Sequence, residues 1–277
     1  MLNLIIDENR CIQCGECAAD CPVMLFDMSQ GIPFIPEHRQ ERCIQCQHCL
    51  AICPTGALSI LGFDPENSEE INFPQADLMA NLIKGRRSVR RYRSEAVPST
   101  TLDHLMDIVV YAPTGQNRAL VRFTLIDDPT VMEQVRKVTY DGIRLAIKEN
   151  VLPDRLKFFV NFLRAYDQGR DIIYRFAPHM ILASAPATSA SPEADPFIAL
   201  SYFELMAQSM GLGTLWCGYA RWAIEAIVPQ LGQDLGIPAD HKVMYALMFG
   251  FPDVTYSRTV QRKIQNVHRV RLEDVQG

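Results

Sequence analysis

Eight of the chain's nine cysteines fall into two copies of one spacing: Cys11-x2-Cys14-x2-Cys17-x3-Cys21-Pro22 and Cys43-x2-Cys46-x2-Cys49-x3-Cys53-Pro54. Two-residue gaps let three sulfurs of one tight loop converge on a single point, while the fourth, set further along, points away. The proline after each fourth cysteine fixes φ and donates no N–H, which suits a chain leaving such a loop. Zinc sites usually draw four ligands from two separated pairs, whereas each run here already carries four cysteines. Disulfides belong to oxidising compartments. Met1–Arg10 does not read as a secretory leader, because its apolar stretch is short and Asp7-Glu8 follows it.

The repeated run resembles the bacterial ferredoxin signature for two 4Fe–4S clusters, in which the fourth cysteine of each run ligates the other cluster. The resemblance implies Cys11, Cys14, Cys17 and Cys53 for one cluster and Cys43, Cys46, Cys49 and Cys21 for the other. Its chemistry is one-electron transfer. Around the runs, Leu2, Leu4 and Ile6 alternate as a short strand and Ala57–Ile60 read as its counterpart. Between the runs, Gly31, Pro33 and Pro36 predict a turn or hairpin rather than a helix. This first domain spans 1–63. So many cluster thiolates call for a reducing, low-oxygen setting, and a bacterial or archaeal cytoplasm is the simplest one.

The remainder is long enough for a second domain: the chain has 277 residues, 48% of them hydrophobic. A net charge of −5 speaks against general nucleic-acid binding. No apolar run approaches the ~20 residues of a membrane span. Residues 64–74 (DPENSEEINFP) are acidic, polar and bounded by prolines, which marks a linker before a domain over 75–277. Leu78, Met79, Leu82 and Ile83 then recur at helical spacing. Ser99 or Thr100 can cap a second helix that carries Leu102, Leu105, Met106 and Val109. Strands are predicted over 121–126, 179–183 and 242–249, and helix over 131–151, 156–176 and 197–210. The class is α+β.

Four short segments carry the chemistry. Gly85–Tyr92 (GRRSVRRY) is a basic run. It reads equally as a solvated face or as phosphate capture by arginine forks and a serine hydroxyl. Ala112–Asn117 (APTGQN) is a turn by composition. Gly211–Gly218 (GLGTLWCG) is a helix stop and a buried strand, not a dinucleotide fingerprint. Gly250-Phe251-Pro252 is followed by Arg258, Arg262 and Lys263.

In this order, from about Pro74 to Val267, these segments resemble the nitroreductase-like FMN-dependent oxidoreductases, and the whole chain is similar to ferredoxin–nitroreductase fusions. The resemblance implies a homodimeric α+β sandwich with FMN at the subunit interface. Arg86, Arg87, Ser88 and Arg90 would hold its phosphate and ribityl chain, with Arg262 and Lys263 approaching from the C-terminal arm. Pro113, Thr114, Gly115 and Asn117 would reach the partner's flavin. Trp216, Cys217 and Gly218 would lie along the ring. Residues 137–176 would shape the substrate mouth.

The implied enzyme takes electrons from reduced ferredoxin, flavodoxin or a similar low-potential carrier. It passes them through the clusters to FMN and reduces a small acceptor, whether nitroaromatic, quinone or activated alkene. An electron-transfer module or redox sensor docked on a larger complex is the alternative. No catalytic side chain is evident: the six histidines are scattered, and Cys217 reads as a small buried hydrophobe or as a thiol beside the flavin.

Overall fold

The structure, a computed structural model, describes residues 2–264, 266–271 and 274. Met1 and the far end of the expected second domain, at 277, lie outside the described residues.

The first domain is built twice over. Strand β1 (Ile5–Ile6) pairs antiparallel with β2 (Leu58–Ser59), closing the two ends of the segment on each other. Each cysteine run turns into a one-turn helix, α1 (Glu16–Ala19) and α2 (His48–Ala51). Both helices start from a left-handed residue, Gly15 at φ 76° and Gln47 at φ 59°. The small core gathers Leu25, Phe26, Ile35, Leu50, Leu58 and Ile60 with Cys17. The paired strands are shorter than the sequence predicts, two residues each. The hairpin expected between the runs is present as the Asp27–Phe34 bridge, but Glu37–Arg42 then form a 3-10 helix.

The linker begins as a docked element. Asp64 accepts the Glu66 amide and caps a 3-10 turn over Pro65–Asn67. Arg10 clamps that turn through Glu66 at 2.6 Å and reaches the Thr55 carbonyl at 2.9 Å. Regular structure resumes at α3 (Ala76–Gly85), which buries none of its side chains in this chain.

The larger domain is a four-stranded antiparallel sheet in the order β3 (Arg122–Ile126), β4 (His179–Pro186), β6 (His241–Gly250), β5 (Gly213–Trp216). Strand β4 sends alternate side chains to opposite faces, as the two-residue period of a strand requires. Ile181 and Ala183 pack under α4 (Ser99–Val109) and α7 (Ala194–Ser209). Met180 and Leu182 pack under α5 (Pro129–Lys148), α6 (Phe159–Asp167), α8 (Gly218–Ala226) and α9 (Pro229–Asp234). Both faces being covered, β4 is a continuous apolar run rather than an alternating one.

Three expectations are corrected. Neither Ser99 nor Thr100 caps α4: Pro98 holds the N-cap position and Ser99 is already helical. The helix predicted over 156–176 stops at Asp167, and Gly169 at φ +77° turns the chain. Beyond it, 171–177 is an irregular segment wound on one carboxylate: Asp171 accepts the amides of Tyr174 and Phe176, the Tyr140 hydroxyl and the Arg136 guanidinium. Buried backbone needs partners, and Asp171 supplies them where a helix would otherwise have done so. Helices α8 and α9 were not foreseen by periodicity.

Candidate functional site

The cysteines line two cavities. Cys11, Cys14, Cys17 and Cys53 surround one, with Ile12, Pro33 and Leu58 completing its apolar wall. Cys21, Cys43, Cys46 and Cys49 surround the other, beside Leu25 and Phe26. These are the sets implied by the crossed ferredoxin arrangement. Among the described residues no three His, Cys, Asp or Glu side chains converge tightly enough for a single metal ion. Thiols spaced around an apolar cavity instead fit a cluster with several irons, so the donor set suits iron and sulfide better than zinc.

Backbone amides point at the sulfurs. Ala57 donates to Cys53 Sγ at 3.2 Å and Gln45 to Cys43 Sγ at 3.4 Å. At Cys53, burial pushes the thiol pKa up, but amides of Ala57 and Thr55 outweigh it and leave the pKa lowered. At Cys49, burial dominates and pushes the free thiol up to about 12. Hydrogen bonds to cluster sulfurs are one of the means by which proteins set cluster potentials.

The second site starts from the basic run. Ser88 bridges Thr214 in parallel, and the Val89 amide donates to the Thr214 carbonyl at 2.8 Å. This approach needs glycine at 213, since a Cβ there would sit 2.6 Å from Val89 Cγ2. Arg86 Nη1 lies 3.2 Å from Glu204, which also accepts the Thr214 hydroxyl at 3.1 Å. The Tyr92 hydroxyl ties back to the Val89 carbonyl at 2.9 Å.

Beside the fixed run opens a cleft of about 480 Å³, lined by Arg90, Arg175, Arg221, Trp216, Cys217, Gly218, Tyr219, Trp222 and Tyr245, with Ile172, Ile173 and Leu215. Its lining carries three guanidinium groups and no carboxylate. Arg175 and Phe176 sit at φ 57° and 51°, unusual for side chains of their size, and the Asp171 winding holds them there. Helix α8 opens on this cleft, and the first amides of a helix have no intrahelical acceptors. Gly218 keeps the wall thin: a Cβ there would meet the Tyr245 hydroxyl at 3.0 Å. A flat anionic group with one phosphate matches this lining of arginines, aromatic rings and bare backbone.

The sequence-predicted residues divide accordingly. Arg90, Trp216, Cys217 and Gly218 line the cleft. Arg86 is turned to Glu204, and Arg87 and Ser88 are half-buried outside the lining. Arg262 and Lys263 are exposed on the arm, although Tyr256 of that arm touches the Ser88 carbonyl at 3.4 Å. Pro113, Thr114, Gly115 and Asn117 do not line this chain's cleft. Their turn hangs on Asp195, which accepts the Gly115 amide at 3.1 Å, and Asn117 donates to the Ile44 carbonyl at 3.0 Å.

Cys217 is buried, donates to the Ile173 carbonyl at 3.1 Å and caps α8 by accepting the Ala220 amide. Burial pushes its pKa up to about 11, so at neutral pH it is a thiol. Sequence reasoning missed Arg175, Arg221 and Tyr245; Arg221 sits on an ordinary amphipathic helix and Tyr245 on an apolar strand, and neither carries a motif.

The model of the nitroreductase family, described by that name, matches residues 83–251. The chain belongs to the nitroreductase family. A 4Fe-4S dicluster domain over residues 6–57 precedes the nitroreductase domain. A nitroreductase with bound FMN from Bacteroides fragilis has a TM-score of 0.53 at 21% identity, over 69% of this chain and 98% of that one. One from Desulfitobacterium hafniense reaches 0.54 at 21% identity, over 68% and 97%. Among sequence relatives, an iodotyrosine deiodinase of Thermotoga neapolitana is 24% identical over 145 residues, 50% of this chain and 72% of that one. An NADH dehydrogenase of Thermus thermophilus is 25% identical over 193 residues, 66% and 90%. The nitroreductase fold, preceded by a dicluster domain, is the architecture expected from the motifs. Among the described residues no helix is long and apolar enough to cross a membrane.

Proposed function

We propose that this nitroreductase-family protein is an FMN-dependent oxidoreductase that takes electrons from a low-potential one-electron carrier and reduces a small, flat organic acceptor. One observation carries the reading: two four-cysteine cavities and an arginine-lined cleft occur in one chain. When bound, the clusters pass electrons singly, and the flavin collects them and delivers them in pairs.

The chain's own groups supply the rest. Arg90, Arg175 and Arg221 give the cleft the charge that an anionic cofactor needs. Trp216, held by Phe197 at 6.0 Å between ring centres and by Tyr245 at 5.3 Å, gives it a rigid aromatic wall. Helix α8 turns the positive end of its dipole to the same place. Cys217 stays protonated and spent on Ile173, so it is assigned to packing and capping rather than proton transfer. The acceptor class spans nitroaromatics, quinones and activated alkenes. The relatives named for deiodination and for NADH oxidation fit a cleft whose chemistry is flavin-centred.

The working unit is proposed as a homodimer. Leu78 and Ile83 of α3 are 65% and 55% exposed, and Val110 and Tyr111 after α4 are 70% and 77% exposed. Apolar faces of this kind mark association surfaces, and a second copy would cover them. The Pro113–Asn117 turn, absent from its own cleft, is then available to the partner's.

Anaerobic purification should give about eight irons and about one FMN per chain. Reduced ferredoxin should bleach the flavin rapidly. Zinc in place of iron, or bleaching by NADH alone, would overturn the assignment.

A further inference from the structure

The two ligand loops begin with the same tetrapeptide, Cys-Ile-Gln-Cys, at 11–14 and at 43–46. They share a backbone turn as well, with Gln13 at φ 56° and Gln45 at φ 57°. Their surroundings differ. Ile12 is 64% exposed and Cys14 is exposed, whereas Ile44 and Cys46 are half-buried. The tetrapeptide is identical and its glutamine takes the same φ in both loops, so the difference comes from what each loop meets.

The second loop meets the flavin domain. The Asn117 side-chain amide donates to the Ile44 carbonyl at 3.0 Å, across 73 residues of sequence. Asn117 is itself held. It sits at φ 55° beside Gln116 at φ 56°, in a turn pinned by two bonds from the Gly115 amide to the buried Asp195. The Thr114 hydroxyl closes the same turn on the Ala119 amide at 2.9 Å. The first cavity instead has the linker at its back, where Arg10 joins Thr55 to Glu66.

Resting on the function proposed above, we propose that Asn117 is a positioning residue that latches the second ligand loop to the flavin domain. Because the Pro113–Asn117 turn is the segment offered to the partner's cleft, the cavity of Cys21, Cys43, Cys46 and Cys49 that it holds is the electron outlet, and that of Cys11, Cys14, Cys17 and Cys53 is the intake. Each electron leaving the outlet cluster oxidises it by one. Two such transfers, with protons from solvent, are needed for each two-electron reduction at the flavin, and a reduced one-electron carrier replaces both. The same turn thus serves the ferredoxin domain of its own chain, which gives it a role separate from any contact with flavin.

Hydrogen exchange on the iron- and flavin-loaded protein tests this directly. In Asn117→Ala, and equally in Asn117→Asp, which keeps the size but cannot donate, amides of 43–49 should exchange roughly ten-fold faster. Amides of 11–17 should be unchanged. In the same samples, flavin bleaching by reduced ferredoxin should slow at least several-fold while iron content stays at the wild-type level. Equal protection of 43–49 in wild type and variants would overturn the latch, as would faster exchange in both loops alike. Loss of FMN with 43–49 still protected would assign Asn117 to the flavin alone and also overturn it. A protein lacking iron or flavin before mutation would instead refute the underlying function.

Discussion

Arg136 Nε lies 2.9 Å from Asp171 Oδ2, with 5% and 0% of the two side chains exposed. The pair organises the segment that carries Arg175 to the cleft. Arg136 also donates to the Ala177 carbonyl at 3.1 Å, and Asp171 accepts the Tyr140 hydroxyl at 2.8 Å. Without Asp171 the buried Arg136 keeps only the exposed Glu133 carboxylate and the Ala177 carbonyl, and breaking a buried pair costs about 3–5 kcal/mol. Asp171→Ala should therefore lower stability to urea by about that amount. It should also weaken FMN binding, because the strained turn at Arg175 loses its acceptor. Denaturation followed by both circular dichroism and flavin release checks the two effects together.

Gly213 and Val89 make a second prediction. The added Cβ of Gly213→Ala would lie 2.8 Å from Val89 Cβ and 2.6 Å from its Cγ2, inside any real contact. Overpacking of this kind costs about 1–3 kcal/mol. The displaced segment is the one that aligns Ser88 with Thr214. Val89→Gly, which removes the Cβ as well as both methyls, should restore part of the loss when combined with Gly213→Ala. A double-mutant cycle should show a coupling of about 1 kcal/mol or more, and additive losses would refute the contact as the cause.

How much of this could be read in the sequence depends on how locally each feature is encoded. The cysteine runs are self-contained: spacing alone groups the thiols, and the fold places Cys21 and Cys53 across the pseudo-repeat as the crossed arrangement requires. Strands β4 and β6 were legible as apolar runs because both faces of the sheet are covered. The helical reading of 156–176 failed because Ile172, Ile173 and Phe176 continue an apolar pattern whose amides go to side chains that periodicity does not see, the first two to the Tyr140 hydroxyl and the third to Asp171. The cleft was half legible. Arg90 and Trp216–Gly218 belong to motifs, whereas Arg175 and Arg221 reach the same space from separate elements. The docking of Ile44 on Asn117 is a tertiary relation with no local trace.

Cys217 offers a test by labelling. With its pKa pushed up to about 11 by burial, its thiolate fraction is small at pH 8. It should react with a thiol reagent at least roughly a hundred-fold more slowly than an unperturbed cysteine. The rate should climb about ten-fold per pH unit toward 11. Cys217→Ala should leave the flavin spectrum and turnover nearly unchanged, with a stability loss of about 1 kcal/mol from the small cavity and the lost cap. A large fall in turnover would instead return the thiol to the chemistry.

His179 should make the larger domain sensitive to mild acid. Its ring is wholly buried at the start of β4, stacked on Phe249 at 5.1 Å, and Nε2 accepts the Val97 amide at 2.9 Å. Burial lowers its pKa, and only partial opposition comes from the Ile126 backbone and from Asp127. Protonation would have to break the Val97 bond and charge a buried ring. The unfolded chain carries an ordinary histidine that titrates near 6.5. Between the depressed folded value and about 6.5, the unfolded state therefore binds more protons, so stability rises with pH. It is present in full above about 6.5 and is lost as pH falls through the window below. The expected result is a falling urea midpoint for the wild type between about pH 7 and 5. In His179→Gln, which keeps an acceptor for Val97 but cannot titrate there, that part of the decline should vanish. Any contribution from the clusters is common to both proteins and cancels in their difference. Parallel pH profiles for the two would mean that the His179 ring does not control this response.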